Sequence, residues 1–474
     1  MTQAATVNPF AVLRTRQYVV LLVFAAILGV PIALVAAGFL WLVNSIQAWV
    51  FTDLPSGLGF AEPPVWWPIP PLVIAGLLVG VIIKYFPGAG GHSPADGFHA
   101  GGVASGSELP GILLAALASL GLGAVIGPEA PLIALGGGVA VLVVRLVKKD
   151  APQQAIMVIG AAGSFAAISA LLGSPLLGAF LLMEAIGVSG AIGTVVLMPG
   201  LLASGIGALV FIGVDSLVGL GAVSLAIPGL PTFDAPDGID FLWAIVIGIA
   251  AAVIGTGIRR LGLAVRPLLQ RNLVVLTPVA GLAIAGLAIL YSQTTGHSPA
   301  DVLFSGENDL PVLISNHADY AWGALALLLV CKGLGYGISL AGFRGGPVFP
   351  SMFLGATIGM LLSTVAGVAL VPAVAMGIGA LCACMLRLPL TSVLLATLLL
   401  GSDGLAVMPV VIVAVVVSYM LTIWLAPPPD PTATEVPVPP GTASATASGA
   451  ATPSAGPAGA GPAGAGPQVA SPKP

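Results

Sequence analysis

Charge is the scarcest commodity in this sequence. Lysine and arginine total 14 and aspartate and glutamate 18 among 474 residues, 7% of the chain, while 58% is hydrophobic. Soluble domains carry about a quarter of their residues charged. That shortage, with a mean hydropathy of +1.10, excludes a soluble domain and specifies a polytopic membrane protein. A formal net charge of −4 offers nothing to nucleic acid. Cysteine is equally sparse. Cys331, Cys382 and Cys384 lie in apolar sequence, and a spacing of two fits neither a zinc site nor a CxxC redox pair. They read as small apolar side chains. HExxH, GxSxG and paired intramembrane aspartates are all absent, which leaves a membrane-embedded hydrolase without a motif. The N-terminus lacks a signal-peptide pattern. Its first apolar run, Tyr18 to Val43, is too long for an h-region and has no A-x-A site after it. No metal or cofactor is expected.

What is present centres on Gly127-Pro128-Glu129-Ala130-Pro131. It interrupts an apolar run from Ile112 to Val144 in which Glu129 is the only acid. An ionisable group at membrane depth is costly and by default functional. Pro131 is placed to start a helix, where its missing N–H costs nothing. Free N–H groups and a partial positive charge at a helix start attract anions. Glu129 is thus a carboxylate where an anion could also sit. The competing reading is a capping or protonated glutamate with a purely structural role.

Along the chain, residues 1–16 form a polar arm with Arg14 and Arg16. A long helix follows to about Val50, then a Pro/Gly-rich loop, 52–71, with Trp66 and Trp67 as an interfacial anchor. A second span covers 72–85, and a Gly-rich irregular stretch covers 88–110. Apolar helices are expected at 111–124, 131–147, 153–172, 176–187 and 192–213, several too short to span. A loop at 214–237 precedes spans at 239–265 and 273–291. An irregular stretch, 292–319, leads to helices near 321–340, 350–369, 372–385, 389–401 and 405–425. Residues 426–474 are Pro, Ala, Gly, Ser and Thr with little apolar bulk, the composition of a disordered tail.

The chain repeats itself. Gly-His-Ser-Pro-Ala-Asp occurs at 91–96 and again at 296–301. Glu108-Leu109-Pro110 is echoed by Asp309-Leu310-Pro311, Pro131, Leu135 and Gly136 by Pro350, Leu354 and Gly355, and Gly173–Gly187 by Arg387–Gly401. Four echoes in one order divide the chain into repeats at 17–213 and 214–425. Basic residues cluster at Arg14/Arg16, Arg145/Lys148/Lys149 and Arg259/Arg260/Arg266/Arg271, and the positive-inside rule puts all three in the cytoplasm, with the N-terminus. Counting spans from them, residue 91 lies inside and residue 296 outside. Equivalent segments on opposite faces are inverted repeats, the architecture of transporters and related channels. His92 and His297 fall in these repeat copies and read as turn-stabilising residues. Arg344 reads as a loop charge near the pore mouth.

Three irregular stretches each end in proline at a helix start: Gly106-Ser107-Glu108-Leu109-Pro110, Gly127–Pro131, and Gly345-Gly346-Pro347-Val348-Phe349-Pro350. Unwound backbone survives in a membrane only where protein or a wet cavity satisfies it. Several helix starts aimed at one point would hold a small anion weakly, which lets it both enter and leave.

These motifs, GSELP, GPEAP and GPVFP, with the run Ser174–Glu184 after them, resemble those of the CLC chloride channels and transporters. The family patterns are GSGIP, GREGP, GxFxP and PLxGxxFxxE. The likeness covers residues 17–425 and runs most strongly to a divergent bacterial branch of ion-channel proteins with a GPE motif and a GFRGG run like Gly342–Gly346. It implies an all-α membrane protein, an inverted-repeat bundle whose broken helices meet at the midplane, working as a homodimer in the cell membrane with one pore per subunit. It implies that Glu129 is the gate and that Ser107 offers its hydroxyl to the anion. Val348 and Phe349 would donate backbone N–H groups, and Gly106, Glu108, Leu109, Gly127, Ala130 and Gly346 would complete the anion-binding set. Glu184 would be the acid at the inner end of its helix. The transported ion would be chloride or a similar small anion.

The sequence departs from the family at several points. Pro128 replaces the arginine of GREGP and Pro347 removes a donor from the third motif, whose phenylalanine falls one place late. Glu108 replaces a glycine. Ala185 stands where many proton-coupled members carry a second glutamate. Tyr419 falls too early to match the tyrosine that closes the inner side of the site. A weaker anion cage and a missing proton relay favour a channel over H⁺/Cl⁻ exchange, which remains the alternative.

Overall fold

The computed structural model describes residues 13–98, 104–187, 190–218, 233, 235–401 and 404–426. Residues 1–12 of the expected arm, much of the 214–237 loop and the tail from 427 lie outside the described residues. Helices of seven or more residues run, in order, α1 Arg16–Ala48, α2 Ile69–Tyr85, α3 Leu109–Gly121, α4 Glu129–Val147, α5 Gln153–Leu172, α6 Pro175–Ile186, α7 Gly190–Val218, α8 Gly238–Gln270, α9 Leu273–Thr295, α10 Asp309–Ser315, α11 Trp322–Gly342, α12 Val348–Ala366, α13 Leu370–Leu386, α14 Pro389–Leu399 and α15 Gly404–Leu425. Among the described residues nine helices are long and apolar enough to cross a membrane. Others are not. The 12 residues of α6 reach roughly 18 Å at 1.5 Å each, short of a core about 30 Å thick.

Several helices start earlier than the sequence expectation, two of them at the site. α4 begins at Glu129 and α12 at Val348, two residues before the prolines taken as starts. Pro128 and Pro347 are the N-cap residues. Pro131 and Pro350 are third in their helices, still within the first turn, where N–H groups have no intrahelical acceptor and proline costs nothing. Glu129 is therefore the first residue of its helix rather than a loop residue before it.

Helix pairs that the sequence echoes match pack alike in the two halves. Glycines let equivalent helix pairs touch backbone to backbone, as membrane helices without a hydrophobic drive must. A Cβ on Gly136 of α4 would strike the Gly163 carbonyl oxygen of α5, and one on Gly355 of α12 would strike that of Gly377 in α13. α5 ends at Gly173 with φ +61°, and α13 ends at Arg387 with φ +60°. The echo thus keeps a left-handed cap even where the second copy lacks glycine, at the cost of local strain. A reciprocal pair of bonds ties the halves together. Val125 N–H donates to Ser339 Oγ at 3.1 Å, and Arg344 N–H donates to Ser119 Oγ at 3.1 Å.

The two Gly-His-Ser-Pro-Ala-Asp copies sit at opposite ends of the α8–α9 hairpin. Asp96 of the first pairs with Arg266 near the end of α8. The second copy follows α9, 23 residues away, or roughly 34 Å along the helix. Its Asp301 accepts hydrogen bonds from Tyr291 (3.1 Å) and Tyr320 (3.2 Å), and His297 stacks on Tyr320 with ring centroids 4.2 Å apart.

Candidate functional site

The two repeats cross at Gly127 and Gly346. Gly127 N–H donates to Gly346 O at 2.8 Å and Gly346 N–H donates to Gly127 O at 2.6 Å, so each unwound segment satisfies the other's backbone. From this crossing α4 and α12 depart. Glu129, fully buried, turns its carboxylate onto the start of α12, where Oε1 accepts the Phe349 N–H at 2.8 Å. The Val348 N–H also faces the carboxylate. Oε2 is buried with no hydrogen-bond partner among the described residues. It lies where a Cβ on Gly346 would stand, so only glycine there leaves it room. The carboxylate occupies the N–H cluster of a helix start as a free anion would.

A cavity lies on each side of the crossing. One, of about 350 Å³, is lined by Ala130, Pro131, Gly345 and Pro347, by Glu108 and Arg344, and by Gly91–Pro94 of the first repeat copy. The other, of about 390 Å³, is lined by Pro128, Gln47, Glu307 and Asp309, and by Ser298 and Ala300 of the second copy. Because the copies sit at opposite ends of the α8–α9 hairpin, the cavities open on opposite sides. The echo pair Glu108 and Asp309 divides between them.

The cavities differ in charge. Arg344 is buried, with Nε donating to Ala89 O (3.3 Å) and Nη1 to Phe343 O (3.2 Å). It is a loop residue whose buried charge lines this cavity. It restores on α12's side the positive charge that Pro128 removes from α4's. The Glu307 cavity has no basic lining residue among those described. Burial, and second the neighbouring Glu129 carboxylate, push the Glu307 carboxyl up to about 8.

Several expected residues are not brought to this point. Ser107 is exposed and its hydroxyl bonds to that of Ser105 (3.0 Å), while Glu108 accepts the Ser105 N–H (3.0 Å). Of Gly106, Ser107, Glu108 and Leu109, only Glu108 reaches the cavity wall. The first repeat copy takes that place instead. Ser93 lines the cavity, and its hydroxyl is buried with no hydrogen-bond partner among the described residues. Sequence reasoning had paired GSELP with the family's GSGIP and passed over Gly-His-Ser-Pro, which also puts a proline at a short helical turn, Pro94–Asp96. Glu184 ends α6 with its carboxylate fully engaged. It accepts the N–H groups of Leu390 (2.9 Å) and Thr391 (2.8 Å) and the Thr391 hydroxyl (2.6 Å), capping α14 of the other repeat.

Lys332 was also missed, although it is the only charged residue between Trp322 and Gly342. It is fully buried. Its ammonium donates to the carbonyls of Asp301 and Leu303 at 2.9 Å and lies 4.2 Å from the Phe353 ring centroid. It pins the turn that walls the Glu307 cavity, where Phe304 holds φ +56°.

Comparisons with known proteins agree with this geometry. The family model described as voltage gated chloride channel matches residues 75–422. The YfeO protein of Escherichia fergusonii, named for ion transport, is 25% identical over 352 residues, 74% of this chain and 80% of that one. Its counterpart from an Escherichia coli strain is 26% identical over the same coverage. Among solved structures, a slow cyanobacterial Cl⁻/H⁺ antiporter superposes with TM-score 0.68 at 21% identity, covering 86% of this chain and 95% of that one. A CLC-type fluoride/proton antiporter superposes at 0.64 with 18% identity, covering 85% and 95%. With its crossing, its paired cavities and a family match over most of its length, the chain belongs to the voltage-gated chloride channel family.

Proposed function

We propose that this protein carries small anions, chloride foremost, across the cell membrane along a path through the Arg344 cavity, the α12 helix start and the Glu307 cavity. Glu129 is the gate. The single observation that carries this reading is the Glu129 carboxylate bonded to the Phe349 N–H, which an anion can reach only when the carboxylate leaves. Val348, Phe349 and the backbone around Gly127, Ala130 and Gly346 form the seat. On the Arg344 side the hydroxyl that faces the ion is that of Ser93 rather than Ser107. The basic clusters support a cytoplasmic N-terminus and an Arg344 cavity that opens to the cytoplasm. The repeats are taken as 17–213 and 214–425, and family likeness supports a homodimer as the working unit.

Transport is passive. Glu184 is engaged as a cap and Ala185 carries no proton, so the position where many proton-coupled members of the family hold a second glutamate offers no titratable group. Exchange against protons is the second reading, and the fold likeness to two proton antiporters supports it. Purified protein in liposomes, with voltage clamped, tests both. An anion flux above that of empty vesicles with no uphill proton movement is expected. A fixed proton-to-anion ratio as gradients vary means exchange, and no anion flux overturns the proposal.

A further inference from the structure

A third cleft lies away from the transport path and is the largest of the three, about 810 Å³. It opens between the start of α1, the end of α4 and the start of α5, with Val195 of α7 at its floor. Its interior is apolar, formed by residues such as Leu21, Phe24, Val144 and Ile159. Tyr18, buried, donates to Val195 O at 3.0 Å and joins α1 to α7 there. Its rim is polar and carries Arg16 and Lys148.

The charge on that rim is one-sided. No acidic side chain lines the cleft among the described residues, and Asp150, two residues past Lys148, is not on its wall. Arg16 and Lys148 are both exposed and form no salt bridge among the described residues. Arg16 opens α1, where the helix dipole is already positive, and neither α1 nor α5 has an acid in its first turn. A cation at a helix start is unfavourable unless an anion is near. An apolar slot under a basic rim, at the end of a membrane span, matches an acyl chain under an anionic headgroup.

We propose that this cleft binds an anionic glycerophospholipid, its headgroup phosphate between Arg16 and Lys148 and the upper part of one acyl chain along Phe24 and Val144. The lipid braces α1 against α4, the helix that begins at the gate, and so links membrane composition to the gate's scaffold.

The test is native mass spectrometry of the purified full chain given phosphatidylglycerol or phosphatidylcholine of identical acyl chains. Selective retention of phosphatidylglycerol is expected. Arg16→Gln with Lys148→Gln should weaken it by roughly 30-fold, from the effect of about one basic residue each. Arg260→Gln with Arg271→Gln, in another basic cluster, should not. Ala155→Trp fills the slot without changing charge and should also release the lipid. Equal retention of the two lipids, equal loss in both charge variants, or retention in Ala155→Trp overturns the proposal. Displacement by excess inorganic phosphate, with the acyl chain irrelevant, overturns the lipid assignment in favour of a free anion.

Discussion

Glu129→Gln separates the gate from the scaffold. An ionised carboxylate makes its bond to the Phe349 N–H charge-assisted, worth about 1.5–3 kcal/mol against about 1 kcal/mol for a neutral acceptor. Glutamine keeps the shape and the acceptor oxygen but loses the difference. Its hold on the seat should weaken by about 1–2 kcal/mol, which is roughly five- to thirty-fold in favour of a competing anion. Because glutamine does not titrate, that advantage should not vary with pH. In wild-type protein, acid should mimic it, since a protonated carboxyl competes no better than an amide. Chloride efflux from liposomes should therefore rise as pH falls in wild type. In Glu129→Gln it should be high and flat. A variant that keeps the wild-type pH profile, or that conducts less than wild type at every pH, refutes the reasoning.

Further outcomes follow from neighbouring residues. Glu307 is held protonated up to about pH 8, so raising pH past 8 on its side should charge the cavity wall and reduce anion flux, and Glu307→Gln should abolish that alkaline decline when only that side is titrated. Lys332→Met should strip the donors from the Asp301 and Leu303 carbonyls at a cost of about 3 kcal/mol, read as a lower melting temperature in scanning fluorimetry; an unchanged melting temperature means the ammonium is not holding that turn. Cysteines at His92 and Ser298, both exposed, in a background without the three native cysteines, should react with an impermeant reagent from opposite sides of the membrane, and labelling of both from one side means the halves are not inverted.

Much of this was legible in the sequence because its signals are local. Apolar runs of membrane length gave the spanning helices. The lone acid at Glu129 stood out against its surroundings. What escaped depends on side chains meeting across the fold. Glu184 and Thr391 are 207 residues apart, and nothing local to either says that the carboxylate will cap α14. Lys332 reads as an anomaly in an apolar helix until the carbonyls of a turn about 30 residues upstream close around it. Ser107 was chosen by its motif, and motif order alone could not show that the earlier Gly-His-Ser-Pro copy folds into the cavity first. The helix starts were placed two residues late because proline was read as the first helical residue. Here proline serves both as cap and as third residue.

The duplicated frame also explains why the site is asymmetric. In the echo that aligns Gly127 with Gly346, Glu129 corresponds to Val348 and Arg344 to Val125. The backbone parts are shared, including the crossing bonds and the paired serine acceptors Ser339 and Ser119. Two substitutions break the equivalence, an acid entering one repeat and a cation the other. The acid reaches across to the partner repeat's helix start, and the cation stays in the wall of one cavity only. A symmetric crossing would offer an anion the same surroundings from either side. This one presents Arg344 with Glu108 on one face and Glu307 with Asp309 on the other, so among the described residues only one face sets a buried cation beside its carboxyl group. The asymmetry therefore comes from side chains placed on a nearly symmetric backbone, and the backbone itself supplies the seat.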